Sequence, residues 1–405
     1  MFDNDIPEML KYLGEAIMVN ERLKKLGTNR STIRELFEYG KQLKATIGEE
    51  NVFDFSIGNP NVPPPESVKN SIYENLKKSD IHAYTSAQGD FEVRSKIAAY
   101  NNEQWNVGIT ADDIYLTSGA AAALTIVFNA LYGENAEYIV IKPYFPEYKL
   151  FIESAGGKCI EVNADKYFHL DVENIFNALN KNTKAVIINS PNNPTGAIYS
   201  KEEITLLAEK LKEAEKIFGT KIYLVSDEPY REITYGKEVV NPMNFYDDTI
   251  ICYSYSKTLS LPGERIGYIA VSPKAEERRD LYAAVCGAGR ALGYVCASSL
   301  FQRVIADNLG KTSDISIYKR NRDLLYDSLT SYDYECMCPD GAFYLFVKSP
   351  STDDGFFEEC KKHGVLVVPS DGFGVKGYVR ISYCVATETI ERSLPIFEKI
   401  IKLFK

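Results

Sequence analysis

Between Asp112 and Lys311 the chain alternates short, almost wholly apolar runs with amphipathic stretches of helical period, a pattern that few folds accept. The clearest runs are residues 138–141 (YIVI), 185–189 (AVIIN), 222–225 (IYLV) and 249–253 (TIICY), and the clearest helix between them covers 201–217. A strand that is apolar on both faces must be covered on both faces. The pattern therefore specifies a mainly parallel sheet layered with helices. In such sheets ligands bind beyond the carboxyl ends of the strands. Each of these ends runs into a polar or Pro/Gly-rich cluster: 142–145, 190–196, 226–230 and 254–257. The topology gathers all four around one site.

The chain ends read differently. Helices are expected over 7–26 and 31–47, with Ser31 as N-cap, followed by a turn-rich extended stretch at 53–65. After Thr312 a long helix at 315–331 leads to strands at 342–348, 365–368 and 378–383, and to a last helix at 388–403. The expected fold is α/β: a large cofactor-binding domain, 50–312, and a smaller α+β domain formed by both chain ends, 1–49 and 313–405. A length of 405 residues suits two domains.

A formal net charge of −10 argues against a nucleic-acid or anionic-membrane partner, though local positive charge still allows an anionic ligand. The N-terminus, MFDNDIPEML, has no basic segment leading into an apolar one, and no apolar run reaches transmembrane length. A cytoplasmic location is expected. In such a chain the eight scattered cysteines are expected as free buried thiols. His82, His169 and His363 have no ligand spacing, so no metal site is expected.

The segment SYSKTLSLPGERIGY, 254–268, sets Lys257 beside the hydroxyls of Ser254 and Ser256 and carries Arg265 between Gly263 and Gly267. Alone, Lys257 reads as an exposed lysine at a strand end. With two hydroxyls and a forked arginine nearby, it reads as a lysine that holds an aldehyde cofactor covalently while its neighbours neutralise the cofactor's phosphate. The cluster SPNNPTG, 190–196, serves either as a rigid loop containing cis proline or as a place from which Asn193 reaches a cofactor hydroxyl or a substrate carboxylate. Asp227 is either a helix cap or the partner of a protonated pyridine nitrogen. In the second role it keeps the ring cationic, able to take up electrons from a substrate's α-carbon, with Tyr230 at the ring hydroxyl.

In this order the clusters resemble the class I/II aminotransferases of fold type I, the aspartate aminotransferase-like family that uses pyridoxal 5′-phosphate. The family succession Asn-Pro-x-Gly, Asp-x-x-Tyr, Ser-x-Ser-Lys, Gly-x-Arg-x-Gly and a late arginine is met by Asn193 to Gly196, Asp227 with Tyr230, Ser254/Ser256/Lys257, Gly263/Arg265/Gly267 and Arg380. The resemblance runs from about Phe53 to the C-terminus. It implies transfer of an amino group between an L-α-amino acid and a 2-oxo acid in two ping-pong half-reactions. Lys257 would be the Schiff-base residue and proton shuttle, and Arg380 would grip the substrate α-carboxylate. By the same resemblance Gly58 offers that carboxylate a backbone amide, Phe145 stacks on the cofactor ring, and Gly119, Ala120 and Ala121 open the phosphate-binding helix. Tyr84 matches a tyrosine that reaches the phosphate from a neighbouring subunit, which implies a homodimer with shared active sites.

One departure concerns Ala121, which stands where the family usually has Ser, Thr or Lys. Backbone amides remain available there. Ser254, Ser256 and Arg265 are then expected to carry more of the phosphate. Arg290 falls near the region where dicarboxylate-specific relatives supply an arginine to the partner's site; a helix-surface charge is its other reading. A C–S β-lyase needs the same Lys, Asp and Arg, so these motifs do not separate it from a transaminase. A transcription regulator built on this scaffold needs a DNA-binding domain ahead of Phe53, and that segment reads as too short.

Overall fold

In the computed structural model, which describes residues 19–28 and 32–405, the alternating region forms one seven-stranded sheet. A two-residue strand, β1 (Phe53–Asp54), precedes it. The sheet comprises β2 (Ile114–Thr117), β3 (Glu137–Lys142), β4 (Lys158–Asn163), β5 (Thr183–Asn189), β6 (Tyr223–Asp227), β7 (Thr249–Ser254) and β8 (Gly267–Val271). Their spatial order is β2-β8-β7-β6-β5-β3-β4. β8 runs against both of its neighbours, and all other pairings are parallel. Every residue of β6 and β7 is buried, as their unbroken apolar runs require. β4 is the exception: at the sheet edge it exposes Lys158, Glu161 and Asn163 and so has no apolar run.

Helices cover both faces. Ala120–Ala130 and Arg278–Ala291 pack on one, and Phe91–Trp105 and Lys201–Phe218 on the other. The helix Lys201–Phe218 shows why the local sequence works. Ser200 and Glu203 form a reciprocal capping box, Gly219 ends the helix at φ 66°, and Ile204, Leu207, Ala208, Leu211 and Ala214 make one buried stripe.

The C-terminal region adds β9 (Tyr344–Lys348), β10 (Val365–Leu366), β11 (Val368–Pro369) and β12 (Tyr378–Ser382). β11, β12 and β9 form an antiparallel sheet, while β10 pairs in parallel with β1. The single strand expected at 365–368 is thus two strands in two sheets, changing partners at the buried Val367. In an all-apolar run no polar alternation marks such a change. β9 also starts later than expected, because Ala342 has φ 56° and its N–H goes to the Ile233 carbonyl. The helices Ile315–Ser331 and Thr387–Ile401 pack together over this region through Leu325, Leu329, Ile390 and Phe397.

Much of the helix expected at 7–26, and the Ser31 cap, lie outside the described residues. Within them, Glu21–Thr28 is helical with no buried residue, and Thr32–Ile47 is a second helix. All eight cysteines are free, but only Cys252, Cys360 and Cys384 are buried; Cys338 is exposed. The expectation of buried thiols is corrected for the other five: Cys159, Cys286, Cys296 and Cys336 are partly covered and Cys338 is exposed.

Candidate active site

The clusters after β5, β6 and β7 meet in a cavity of about 280 Å³. Its wall brings together Lys257, Asp227, Tyr230, Asn193, Ser254, Ser256, Arg265, Phe145, Ala120, Ala121, Gly58 and Arg380 from the sequence expectation. Gly119 stands behind the wall against Arg265. Tyr84 is 96% exposed, and neither it nor Arg290, exposed near the end of its helix, lines the cavity of its own chain.

Lys257 lies on the short helix Tyr255–Thr258, directly after β7. Ser254 caps this helix: its Oγ accepts from the Ser256 N–H at 3.2 Å and donates to the Ser256 hydroxyl at 2.8 Å. The Lys257 Nζ donates to the Gly58 carbonyl at 2.5 Å. Burial, reinforced by Arg380 and Arg265 and opposed by Cys384, pushes the amine down from 10.5 to about 8. At that value a useful fraction is neutral and nucleophilic near neutral pH.

Asp227 ends β6. Its Oδ2 accepts from the Tyr148 hydroxyl at 2.5 Å, while Oδ1 is buried without a partner. Burial raises the carboxyl from 3.8 to about 7, the Tyr148 hydrogen bond pulling it back and Glu228 pushing it further up. A buried, unpartnered carboxylate oxygen is costly, and a cationic N–H donor in the cavity would satisfy it. The side chain of Asn189 locks the floor by donating to the Asp227 carbonyl at 2.8 Å and accepting from the Asn193 N–H at 2.7 Å. The Ser190–Pro191 and Asn193–Pro194 bonds of this loop are both cis.

One end of the cavity suits a phosphate. Arg265 reaches the Pro262 carbonyl at 2.9 Å, the Ser118 carbonyl at 3.3 Å and the Ser256 hydroxyl at 3.4 Å. Gly119, at φ 85°, caps the helix Ala120–Ala130, and a Cβ there would lie 2.7 Å from an Arg265 nitrogen. Glycine thus lets the guanidinium lie against a helix start whose first amides have no intrahelical partner.

The other end suits a carboxylate. Arg380, buried on β12, donates to Asn193 Oδ1 at 3.1 Å and to the Ser56 carbonyl at 2.6 Å, and its Nε has no partner. Its guanidinium lies 4.5 Å from the Tyr344 ring centre and 5.1 Å from that of Phe373. The Tyr344 hydroxyl is 2.8 Å from the Tyr230 hydroxyl, and any side chain at residue 58 would collide with it. Burial raises Tyr344 to about 12 and Tyr230 well above its ordinary value, so both stay protonated.

Sequence reasoning missed Tyr344, Tyr148, Asn189 and Ile33. Tyr148 lies one helical turn beyond Phe145, so its presence on the same side was readable. Tyr344 shares the face of Arg380 only through the β9–β12 register, in which Arg380 opposes Phe346 and Ser382 opposes Tyr344.

A lysine, a carboxylate, an anion cradle and a second arginine line one sheet-end cavity, the set of groups that an aldehyde cofactor bearing a phosphate would need. The profile of the family "Aminotransferase class I and II" matches residues 50–395. A probable aspartate aminotransferase of Methanocaldococcus jannaschii is 32% identical over 95% of this chain and all of that protein. An aromatic-amino-acid aminotransferase of Thermococcus litoralis is 29% identical over 92% of this chain and 96% of that one. A crystal structure of an amino transferase from Eubacterium rectale superposes with a TM-score of 0.94, at 52% identity, over 96% of this chain and all of that one. The chain belongs to the class I and II aminotransferase family. It is a pyridoxal-phosphate-dependent transaminase, acting between amino acids and 2-oxo acids.

Proposed function

We propose that Lys257 holds the cofactor and moves the substrate proton, that Asp227 and Tyr230 serve the ring, and that Arg380 binds the α-carboxylate. The observation that carries this reading is the buried, unpartnered Oδ1 of Asp227 in the wall of the cavity that Lys257 lines. When bound, pyridoxal phosphate supplies the aldehyde that accepts the amino group and the ring that takes up electrons released at the α-carbon. Ser254, Ser256, Arg265 and the amides of Ala120 and Ala121 would hold its phosphate, with Gly119 allowing the close approach. Phe145 would cover the ring, and Asn193, whose Oδ1 accepts from Arg380 at 3.1 Å, would serve the ring hydroxyl. The Lys257 amine would take the proton from the α-carbon and deliver it to the cofactor's former aldehyde carbon; in the chain alone the Gly58 carbonyl accepts from its Nζ.

Capture of pyridoxal phosphate by the apoprotein should track the neutral amine, so its rate rises with pH and levels off above about 8 rather than above 10.5. Stopped-flow absorbance across that range checks it. Arg380→Ala lowers kcat/KM for amino acids by about 10²- to 10³-fold, as expected for truncating a buried charge pair, while the cofactor still binds. Steady-state kinetics alongside a cofactor titration separate the two effects.

A homodimer with shared sites completes the proposal. Tyr84 is almost fully exposed although aromatic, and Leu292, Tyr294 and Val295 expose apolar surface as well. Their two segments meet where the Cys296 N–H donates to the Ala87 carbonyl at 3.3 Å. Such a surface suits a second copy of the chain. A cytoplasmic enzyme fits the acidic sequence, and no helix among the described residues is long and apolar enough to cross a membrane. Residues 50–312 form the cofactor domain in this reading, with 1–49 and 313–405 as the small domain.

The test is an amino-acid panel against the purified holoenzyme, followed by absorbance. Transamination predicts conversion of the bound aldehyde to its amine form, reversed by a 2-oxo acid. The transaminase names of the relatives favour this over β-elimination. Release of pyruvate and ammonia from a cysteine conjugate without any oxo acid would contradict it.

A further inference from the structure

Tyr344 opens β9 and lines the cavity together with Tyr230 and Arg380. Its hydroxyl lies 2.8 Å from that of Tyr230, and either oxygen can be the donor. Burial keeps both groups protonated, so the pair carries two protons. The bond between them uses one. Among the described residues neither hydroxyl has another hydrogen-bond partner. A buried tyrosine hydroxyl ordinarily finds an acceptor for its proton. The pair therefore holds one spare donor in the cavity wall, available to an acceptor that enters.

The surroundings fix this pair in place. The Tyr230 ring meets the rings of Phe343 and Tyr344 edge to face, with centres 5.4 and 5.7 Å away and planes at 89° and 82°. The Arg380 guanidinium lies over the Tyr344 ring at 4.5 Å. Gly58 leaves the space that the Tyr344 hydroxyl occupies, since a Cβ there would overlap it. The charged and titratable groups that act on the pair are Arg380 on both tyrosines, Asp227 on Tyr230 and Cys384 on Tyr344. In the proposed reading Tyr230 serves the ring hydroxyl of the cofactor. A hydroxyl has one proton to give. Tyr230 can donate to the ring oxygen and keep its bond with Tyr344 only if Tyr344 is the donor in that bond.

We propose that Tyr344 is a positioning residue of the reaction: by donating to Tyr230 it directs the Tyr230 proton to the ring oxygen of the cofactor. The inference rests on the aminotransferase reading of the same cavity and on the ring role of Tyr230. A donor at the ring oxygen stabilises negative charge there, which lowers the pH at which the bound cofactor loses a proton and its absorbance changes. A donor that itself accepts a hydrogen bond is polarised and donates more strongly.

The test is the pH titration of holoenzyme absorbance in the wild type, Tyr344→Phe, Tyr230→Phe and the double variant. Tyr344→Phe keeps a ring against Arg380 and removes only the oxygen. It is expected to raise the midpoint by about half a unit to one unit, the worth of one hydrogen bond. Tyr230→Phe raises it at least as far, and adding Tyr344→Phe to that variant raises it no further. In Tyr344→Phe the KM for the amino acid that the wild type converts fastest stays at its wild-type value, because the Arg380 contact is retained. A packing defect alone would lower the melting temperature and leave the midpoint where it was. An unmoved midpoint in Tyr344→Phe beside a raised one in Tyr230→Phe overturns the proposal. So does an unmoved midpoint with a raised KM, which would assign the spare proton to the substrate carboxylate. Additive shifts in the double variant overturn it as well, because Tyr344 would then act on the ring without Tyr230. If Tyr230→Phe itself leaves the midpoint unmoved, the ring role of Tyr230 fails and this inference with it.

Discussion

Lys257→Ala yields a folded protein that no longer holds pyridoxal phosphate covalently and loses at least about 10⁴-fold in transamination, the upper range for a positioned acid–base group. Two proposed functions end together, because the same Nζ makes the link and moves the α-proton. The rest of the site has no substitute. Gly58 offers only a carbonyl at 2.5 Å, Ser254 and Ser256 are engaged with each other at 2.8 Å, and Tyr230 and Tyr344 are held protonated by burial. Cofactor phosphate contacts do not involve Lys257, so the variant should still take up the cofactor reversibly. Dialysis removes it from Lys257→Ala and not from the wild type. Retention of more than a small fraction of activity would mean that another group moves the proton.

Asp227→Asn separates charge from shape. The amide keeps the hydrogen bond with Tyr148 but cannot hold a ring nitrogen in its protonated state, and kcat falls by about 10²- to 10³-fold, as for other preorganised electrostatic contacts. In the apoprotein the effect reverses. The folded-state value of Asp227 is raised from 3.8 to about 7. Its carboxyl therefore destabilises the empty fold progressively as pH rises from the lower value to the higher, and by a constant amount above. Asp227→Asn apoprotein should be the more stable of the two at alkaline pH, by on the order of a few kcal/mol. The gap closes as pH falls below about 7. Thermal melts of both apoproteins across this range read the difference directly, and a wild type more stable at alkaline pH would count against a buried, uncompensated carboxylate.

What the amino-acid sequence makes legible is the part of the molecule under one dominant constraint. β5, β6 and β7 are almost entirely buried, and full burial leaves an uninterrupted apolar run. The residues that follow them face a site rather than a core, so polar clusters after apolar runs are readable as chemistry. Lys257, Asp227 and Asn193 stand out in this way. Arg380 is legible only through family resemblance, since a strand arginine carries no local mark of what it binds. Tyr344 and Ile33 have no such mark either. One depends on the β9–β12 register and the other on how the helix Thr32–Ile47 brings Ile33 to the cavity wall, and both are tertiary facts. The edge strand β4 escapes because its exposed face breaks the apolar run, and the change of partner at Val367 escapes because nothing polar interrupts it.

The central claim is that Lys257 is the covalent anchor. It is tested most directly by reducing the purified wild-type holoenzyme with borohydride and mapping its peptides by mass spectrometry. The expected result is one cofactor per chain, fixed on the peptide that contains Lys257, with none fixed in Lys257→Ala. Cofactor fixed to a different lysine, or no aldehyde cofactor on the wild-type protein at all, would contradict it.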